Sequence, residues 1–373
     1  MQIDRDIESW LRLGLTEGVG SGNLRRLLVA FGDPAEVLAA NQQALEGIVK
    51  KTVATSIFQR KVDEDKFART IEWLQNPLNS LITLADPDYP ELLLNIPDPP
   101  PILYFKGQRK FLARPALAIV GSRNATPQGF ANADAFAEAA SNAGFCVVSG
   151  LAQGIDTAAH QGGLRGASSS MAIVGTGLDL VYPSRNRELA HKLADEGALI
   201  SEFPLGVPAM SKNFPRRNRI ISGMCHACLV VEATLYSGSL ITARLALEQG
   251  RDVMAIPGSI HSPLSKGCHA LIKQGAKLVE NIQDILDELN HQPVQQIEST
   301  RADHNETGGS ASTNGDCIDD AGLLIYFDYD AIDIDTLCTR SGLTVEMVSA
   351  MLLTLELEGR IGSLPGGKYQ RVR

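Results

Sequence analysis

Short apolar runs alternate with helical patterns through the middle of the chain. The runs are rich in Val, Ile and Ala, and continuous apolar runs are typical of strands buried on both faces. The alternation predicts an α/β fold, an extended Rossmann-like core whose mostly parallel sheet carries helices on both faces. The predicted strands are Ala116–Val120, Cys146–Ser149, Met171–Val174, Leu199–Glu202, Leu229–Glu232, Val253–Ile256 and Lys277–Val279. The predicted helices are Gln128–Asn142, Thr157–Gly163, Ile241–Gln249 and Ala270–Gln274.

Helical patterns precede this core. Residues 1–80 predict a small N-terminal helical domain, similar to a SAM or helix–hairpin–helix module. In the run GVGSGNLRRLL a Gly-rich turn is followed by apolar residues at helical spacing. Such a hairpin either holds a DNA phosphate on backbone N–H groups or packs against a neighbouring domain, and the sequence leaves both open.

A winged-helix pattern follows the core. The core is predicted over residues 81–290 and is entered through a proline-dense connector. Residues 291–316 are polar and rich in Ser, Thr, Asn and Gly, which predicts a disordered linker. Residues 317–373 follow the order helix, helix, turn, helix and two-stranded wing. The predicted helices of this module are Ala321–Phe327, Ile334–Ser341 and Thr344–Glu358, with Gly342 as a stop.

The composition favours a cytoplasmic protein of two or three domains. The chain has 373 residues, 44% of them hydrophobic, and a formal net charge of -9. No apolar run approaches the length of a membrane span, and the charged N-terminus does not resemble a signal peptide. Six cysteines are too few for a disulfide scaffold, so we expect reduced thiols.

Cations are concentrated in two acid-free windows despite the negative total. Five lie between Pro99 and Ala133, and four lie between Phe203 and Val231. Windows of this kind arise by chance around buried strands, but if the two meet in space they form a groove for an anionic polymer. The densest group, within eight residues, is Lys212, Arg216, Arg217 and Arg219.

Five predicted strands end in turns made of Gly and small polar residues. In an open α/β sheet, ligands bind at the carboxyl ends of the strands, and glycine lets backbone N–H groups approach an anion there. Tight turns between strand and helix also favour glycine for geometric reasons, so a single such turn is weak evidence. Five of them on one edge of the sheet indicate phosphate binding. The candidates are Gly121, Ser122 and Arg123, then Gly150 and Gly154, then Ser237, Gly238 and Ser239.

Two side chains add specific chemistry. Arg123 follows the first predicted strand directly, where its guanidinium would either bind a phosphate through two N–H groups or pair with a surface carboxylate. Phe214 lies beside Lys212 and is either a platform for base stacking or a core anchor.

No cofactor or metal site is expected. Cys225 and Cys228 have CxxC spacing, but a structural zinc site needs a second pair, for which Cys268 and His269 are the candidates. Both pairs lie in segments already assigned to helix and strand. The sequence also contains no GxxxxGK[ST] loop for ATP.

The ordered blocks resemble the DNA-processing protein A family (DprA, also called Smf). They include AIVGSRNATPQG, VVSGLAQGIDTAAHQGGL, AIVGTGLDLVYP, NFPRRNRIISG and VVEATLYSGSLITARLALEQGRDVMAIPG, and they cover residues 86–280 densely. The resemblance implies a non-enzymatic core that binds single-stranded DNA without strong sequence preference. It also implies homodimers and the loading of RecA recombinase during natural transformation. The family's motifs fall on Arg123, Lys212, Phe214, Arg216, Arg217, Asn218, Arg219, Ser237, Gly238 and Ser239.

An alternative is a nucleotide-binding enzyme. Related Rossmann-like phosphoribohydrolases act on nucleoside monophosphates through a PGG-x-GT-x-x-E loop, whereas the comparable turns here are VVEATLYSGS and AIPGSIHS. Asp156, Glu202 and Glu232 are candidate acid–base groups, or else they cap helices and hold the arginines. Oligonucleotide binding without turnover separates the two alternatives.

The charge of the C-terminal module argues against duplex DNA as its ligand. Residues 317–373 hold five cations against nine acids, a net charge of -4. The predicted recognition helix, TVEMVSAMLLTLELEG, has no cation, so phosphates would be repelled. We therefore expect this module to contact protein or the core rather than DNA.

Overall fold

The computed structural model describes residues 5–290, 320–327 and 331–372. The predicted linker, residues 291–316, lies outside the described residues. The chain divides into two compact units, one within residues 1–124 and 133–290 and the other within residues 125–132 and 291–373.

Six helices form the N-terminal part of the larger unit. Asp33 starts the third by accepting hydrogen bonds from the backbone N–H groups of Ala35 and Glu36, and Asp63 starts the sixth in the same way through Lys66. The six helices are α1 (Arg5–Gly14), α2 (Ser21–Phe31), α3 (Pro34–Ala39), α4 (Gln42–Glu46), α5 (Lys51–Phe58) and α6 (Glu64–Trp73).

A large sheet forms the centre of the larger unit. In the described residues it has the strand order β1-β2-β6-β5-β4-β3-β7-β8-β9. The pairs β1/β2 and β2/β6 are antiparallel and the others are parallel. The strands are β1 (Asn79–Thr83), β2 (Ile102–Gly107), β3 (Ala116–Val120), β4 (Cys146–Ser149), β5 (Ser170–Ile173), β6 (Ala198–Ser201), β7 (Ala227–Val230), β8 (Asp252–Ala255) and β9 (Lys277–Leu278).

Two apolar cores cover the sheet. One joins Trp10 and Leu27 of the N-terminal helices to sheet residues such as Leu199, so these helices share a core with the sheet. The other contains Phe105 and Ile221. The helices that follow α6 in this unit are α7 (Glu91–Leu94), α8 (Pro127–Asn142), α9 (Ile155–Arg165), α10 (Arg187–Glu196), α11 (Asn213–Gly223), α12 (Ser239–Glu248), α13 (Lys266–Lys273) and α14 (Ile282–Glu288).

The smaller unit contains the predicted winged helix. Gly342 ends its second helix in the left-handed conformation, with φ of 72°, and donates its N–H to the carbonyl of Cys338 at 2.9 Å. The three-stranded antiparallel sheet has the order β10-β12-β11. The elements are α15 (Asp320–Leu323), β10 (Ile332–Asp333), α16 (Ile334–Ser341), α17 (Val345–Leu357), β11 (Ile361–Leu364) and β12 (Lys368–Arg371).

The α/β class, the mostly parallel sheet, the N-terminal helices and the winged helix are confirmed. Several elements were not predicted. Strands β1 and β2 were missed because the proline-dense connector separates them, and β10 because it is two residues long. Helix α11 was missed because the cluster of cations and Pro215 in its first turn hide its apolar spacing. None of the described helices is long and apolar enough to cross a membrane.

Truncation of Phe105 tests the assignment of the core. Phe105 is fully buried in β2. Phe105→Ala should lower the free energy of unfolding by about 3–5 kcal/mol, because it removes a large buried ring and leaves a cavity. Both tryptophans, Trp10 and Trp73, belong to the larger unit, so tryptophan fluorescence in a urea titration follows that unit. Val29→Ala, at a side chain 89% exposed, should change the value by less than about 0.5 kcal/mol, and an equal effect of both changes would contradict the assignment.

Candidate nucleic-acid interface

The strand order creates a crevice at one edge of the sheet. From β3 the chain winds through β4, β5 and β6 on one side, and from β7 it winds through β8 and β9 on the other. The connections that leave β3 and β7 therefore run in opposite directions and separate at the carboxyl ends of these neighbouring strands. Open α/β sheets bind ligands at such a point.

A cavity of about 670 Å³ occupies this crevice. Segments that follow six strands, β3 to β8, contribute to its wall, and the start of α11 also lines it. The lining residues are Val120, Gly121, Ser122, Arg123, Asn124, Ala152, Asp156, Tyr182, Ser211, Phe214, Pro215, Arg217, Asn218, Ile221, Thr234, Ser237, Gly238, Ser239, Ile241, Thr242 and Leu264.

The two acid-free windows meet at this cavity. Arg123, from the first window, is exposed, and its guanidinium carbon lies 5.7 Å from the centre of the Phe214 ring, in the second window. Lys212 is exposed at the start of α11, between Ser211, which lines the cavity, and the buried Asn213. Asn213 holds this end of the helix by donating from Nδ2 to the carbonyl of Gly175 at 2.9 Å. An exposed guanidinium, an exposed ammonium and an aromatic ring thus occur together.

Arg217 lies in the floor of the cavity. Its side chain is 5% exposed, and Nη1 donates to the carbonyl of Ile173 at 2.5 Å. Burial lowers the pKa of Arg217 to about 10, and the charge of Asp156 opposes that shift. A β-carbon at position 150 would overlap the Arg217 guanidinium, so this packing requires glycine at that position.

Asp156 organises the turn that follows β4. One oxygen of its buried carboxylate accepts hydrogen bonds from the N–H groups of Gly150 and Ala152, at 3.1 and 3.3 Å. Burial raises the pKa of Asp156, and the charge of Arg217 opposes that rise. Gly154 ends this turn with φ of 76°, packed against the carbonyls of Ser122 and Arg123, where a β-carbon would collide. The two glycines therefore allow close packing beneath the cavity.

Glu202 binds two of the predicted cations. Its carboxylate oxygen lies 2.5 Å from Nη2 of Arg219 and 3.2 Å from Nη2 of Arg216, and its side chain is 2% exposed. Burial raises the pKa of Glu202 although both arginines oppose the shift. Arg219 is also buried and makes a second ion pair, with Asp98 at 3.1 Å. Arg216 is half exposed and lies over the Phe203 ring.

The turn before α12 forms the opposite wall. The hydroxyl oxygens of Ser237 and Ser239 are 2.6 Å apart, and Ser239 is buried. Gly238 precedes the helix without a side-chain hydrogen bond to its first turn. The N–H of Ser239 donates to the Ser237 hydroxyl at 3.4 Å, and the N–H groups of Leu240 and Ile241 donate to the carbonyls of Ser237 and Gly238.

The structure separates the predicted site residues by exposure. Arg123, Lys212 and Arg216 are exposed, and Phe214 and Asn218 are partly exposed. Arg217 and Arg219 are both buried, but Arg217 lines the cavity, whereas Arg219 is held by Glu202 and Asp98. Sequence reasoning did not select Tyr182, which lines the cavity. The signal was its position, seven residues after Gly175 in the same strand-end segment.

The CxxC pair lies in the interior of the larger unit. Cys225 and Cys228 are both fully buried. Within the described residues no group of three or more His, Cys, Asp or Glu side chains is placed to hold a metal ion.

The fold defines a Rossmann-like protein with a crevice at its topological switch point. The family model described as DNA recombination-mediator protein A matches residues 80–290, and the model of the DprA winged helix domain matches residues 318–367. The chain is 38% identical to Protein Smf of Escherichia coli (strain K12) over 372 residues, 99% of this chain and 96% of that protein. The chain belongs to the DNA recombination-mediator protein A family, which confirms the resemblance seen in its motifs.

A second relative and two solved structures are similar to this chain as well. The DNA processing protein DprA of Streptococcus pneumoniae (strain ATCC BAA-255 / R6) is 45% identical over 206 residues, 55% of this chain and 73% of that protein. An X-ray structure of DprA from S. pneumoniae matches with a TM-score of 0.65 at 36% identity, covering 77% of this chain and 99% of that chain. DNA processing protein A from Helicobacter pylori, in a structure concerned with its single-stranded DNA binding mode, matches with a TM-score of 0.52 at 28% identity and covers 57% of this chain and 96% of that chain.

The buried His160 predicts loss of stability in acid. Its Nε2 accepts from the N–H of Leu151 at 3.3 Å, and its Nδ1 lies 2.7 Å from the hydroxyl of Ser170. Burial lowers the pKa of His160 from 6.5 to about 3. Below pH 6.5 the unfolded chain binds a proton that the folded chain does not bind, so the free energy of unfolding should fall by up to about 1.4 kcal/mol per pH unit.

The matched variant is His160→Gln. Its free energy of unfolding, measured in urea between pH 5 and pH 7, should fall less steeply with acidification than that of the parent. Carboxyl groups titrate in both proteins, so the difference in slope isolates the histidine. Identical slopes would contradict the assignment of His160 as a buried neutral group.

Proposed function

We propose that this protein binds single-stranded DNA along the switch-point crevice, without strong sequence preference. The observation that carries the proposal is the meeting of Arg123 and Phe214 at one cavity, with the exposed Lys212 next in the chain to its lining residue Ser211. Exposed cations attract phosphates, and a partly exposed ring offers a stacking surface for an unpaired base. Single-stranded DNA binding by the similar H. pylori protein supports the same ligand class.

The chemistry of the crevice supports weak sequence preference. Guanidinium and ammonium groups contact phosphates, which are the same in every nucleotide. Aromatic rings stack on any base, because every base has a π face. These contacts hold a strand through its phosphates and the flat faces of its bases, and neither feature depends on the base sequence.

The carboxylates support binding rather than turnover. Asp156 lines the cavity, but it is buried and its carboxylate accepts two backbone hydrogen bonds. Glu202 is buried between Arg216 and Arg219. A general base needs a carboxylate that reaches the substrate, and these two are engaged within the protein. We therefore propose that the protein is not an enzyme.

The wider role is proposed from family membership. We infer that the protein acts in the cytoplasm as a homodimer, in natural transformation and recombination, and loads RecA recombinase onto the bound strand. The free thiols among the described cysteines suit a reducing compartment. The winged helix, with a net charge of -4 over residues 317–373, is proposed to contact protein rather than DNA.

Titration of the purified protein with matched single-stranded and double-stranded oligonucleotides tests the proposal. Molar mass measured in solution during the titration gives the oligomeric state. We expect tighter, salt-sensitive binding of the single strand, and no release of base from nucleoside monophosphates. Turnover of nucleoside monophosphates without oligonucleotide binding would favour the phosphoribohydrolase-like alternative.

Removal of Arg123 or Lys212 should weaken DNA binding equally across sequences. Each of Arg123→Ala and Lys212→Ala removes a phosphate contact, so the slope of log affinity against log salt should become shallower by about 0.7. Band-shift titrations at two or more salt concentrations measure both quantities. Lys192→Ala, at an exposed position on α10, is the matched control and should leave affinity and slope unchanged. Unchanged affinity in both crevice variants would mean that the groove lies elsewhere.

Deletion of residues 317–373 should leave most of the oligonucleotide affinity. The module is acidic, so its removal takes away repulsion rather than phosphate contacts. Binding curves of the full and shortened chains at the same salt concentration provide the comparison. Loss of most of the affinity would show that the winged helix itself holds DNA.

A further inference from the structure

Tyr182 lies at the cavity with its side chain open to solvent. It lines the cavity and is 51% exposed. Its ring centre lies 5.7 Å from the ring centre of Phe214, and the two planes are inclined by 39°. The two aromatic rings therefore lie side by side at the place where Arg123 approaches Phe214.

The segment that carries Tyr182 is held on both sides. The N–H of Leu180 donates to the carbonyl of Gly177 at 3.1 Å, and Nδ2 of Asn186 donates to the carbonyl of Leu151 at 3.0 Å. The exposure of the ring therefore belongs to an anchored turn. A tyrosine has only two side-chain torsions, so a ring presented in this way loses little conformational entropy when it stacks on a ligand.

The ring pair suits an unpaired base next to a phosphate. Arg123 and Lys212 supply positive charge, and the faces of Tyr182 and Phe214 supply a stacking surface. In a duplex the base faces are already stacked on one another, and freeing one costs a few kcal/mol. An aromatic wall beside a phosphate site therefore discriminates against the duplex, which the cations alone do not do.

We infer that Tyr182 is a base-stacking residue that, with Phe214, makes the crevice selective for single strands over duplex. This inference rests on the proposed function and assigns a residue to its selectivity. It separates two contributions: Arg123 and Lys212 supply the salt-dependent part of the affinity, and Tyr182 supplies a part that depends on the presence of bases.

The experiment compares the full-length parent with Tyr182→Leu and Tyr182→Phe. Leucine keeps apolar contact with Phe214 but has no π face, and phenylalanine keeps the face. The probes are a fluorescent single-stranded oligonucleotide, the same strand with abasic sites along its length, and the duplex. Phe58→Leu is the matched control, because Phe58 is 55% exposed in the N-terminal helix α5.

We expect Tyr182→Leu to weaken binding of the base-bearing strand about tenfold, with an unchanged salt slope. Binding of the abasic strand should be equal in Tyr182→Leu and the parent. Tyr182→Phe and Phe58→Leu should bind like the parent. Unchanged binding of the base-bearing strand by Tyr182→Leu would overturn the inference. Equal weakening on the base-bearing and abasic strands would also overturn it, because the ring would then act through the backbone or the fold.

The design separates failure of this inference from failure of the proposed function. If Arg123→Ala weakens binding and Tyr182→Leu does not, the crevice binds DNA and only the stacking role is lost. If the parent protein does not bind the single strand at all, the proposed function and the inference fail together.

Discussion

The crevice depends on the burial of Arg217 beside Asp156. A guanidinium buried without hydrogen-bond partners or nearby negative charge is strongly destabilising. Arg217 is compensated by the charge of Asp156 and by the carbonyl of Ile173. Asp156 in turn fixes the turn that begins at Gly150. Arg217 thus joins α11 to the end of β5, and Asp156 fixes the turn after β4. Both residues line the floor on which a ligand would lie.

The cations divide into two groups with different roles. Arg217 and Arg219 hold the start of α11 against the sheet through Ile173, Glu202 and Asp98. Arg123 and Lys212 remain exposed beside it. Because the buried arginines fix the helix, the exposed cations and the Phe214 ring are presented in one arrangement, which limits the entropy lost on binding. The protein is acidic overall, with a formal net charge of -9, so these exposed cations are a local exception.

The sequence predicted the class of fold, and it brought the candidate residues to one sheet edge, but it did not predict which of their side chains are buried. Strand β3 was predicted at its observed bounds because five consecutive apolar residues end at Gly121. The sequence left open whether the two acid-free windows meet, and the rule that ligand sites lie at the carboxyl ends of parallel strands indicated the edge at which they do. The alternative that Glu202 holds an arginine was left open by the sequence and is what the structure shows for Arg219. The burial of Arg217 and Arg219 was not predicted, because Asp98, Ile173 and Glu202 meet them only in the folded chain. Tyr182 was missed for a related reason, since its proximity to Phe214 spans more than thirty residues.

Photo-cross-linking of a single-stranded oligonucleotide to the full-length protein tests the central claim most directly. A strand containing 4-thiothymidine, bound at low salt and irradiated, marks the side chains that its bases contact. We expect the cross-linked peptides to be those that contain Phe214 and Tyr182. Cross-links confined to residues 317–373, or to the N-terminal helices, would contradict the assignment of DNA binding to the switch-point crevice.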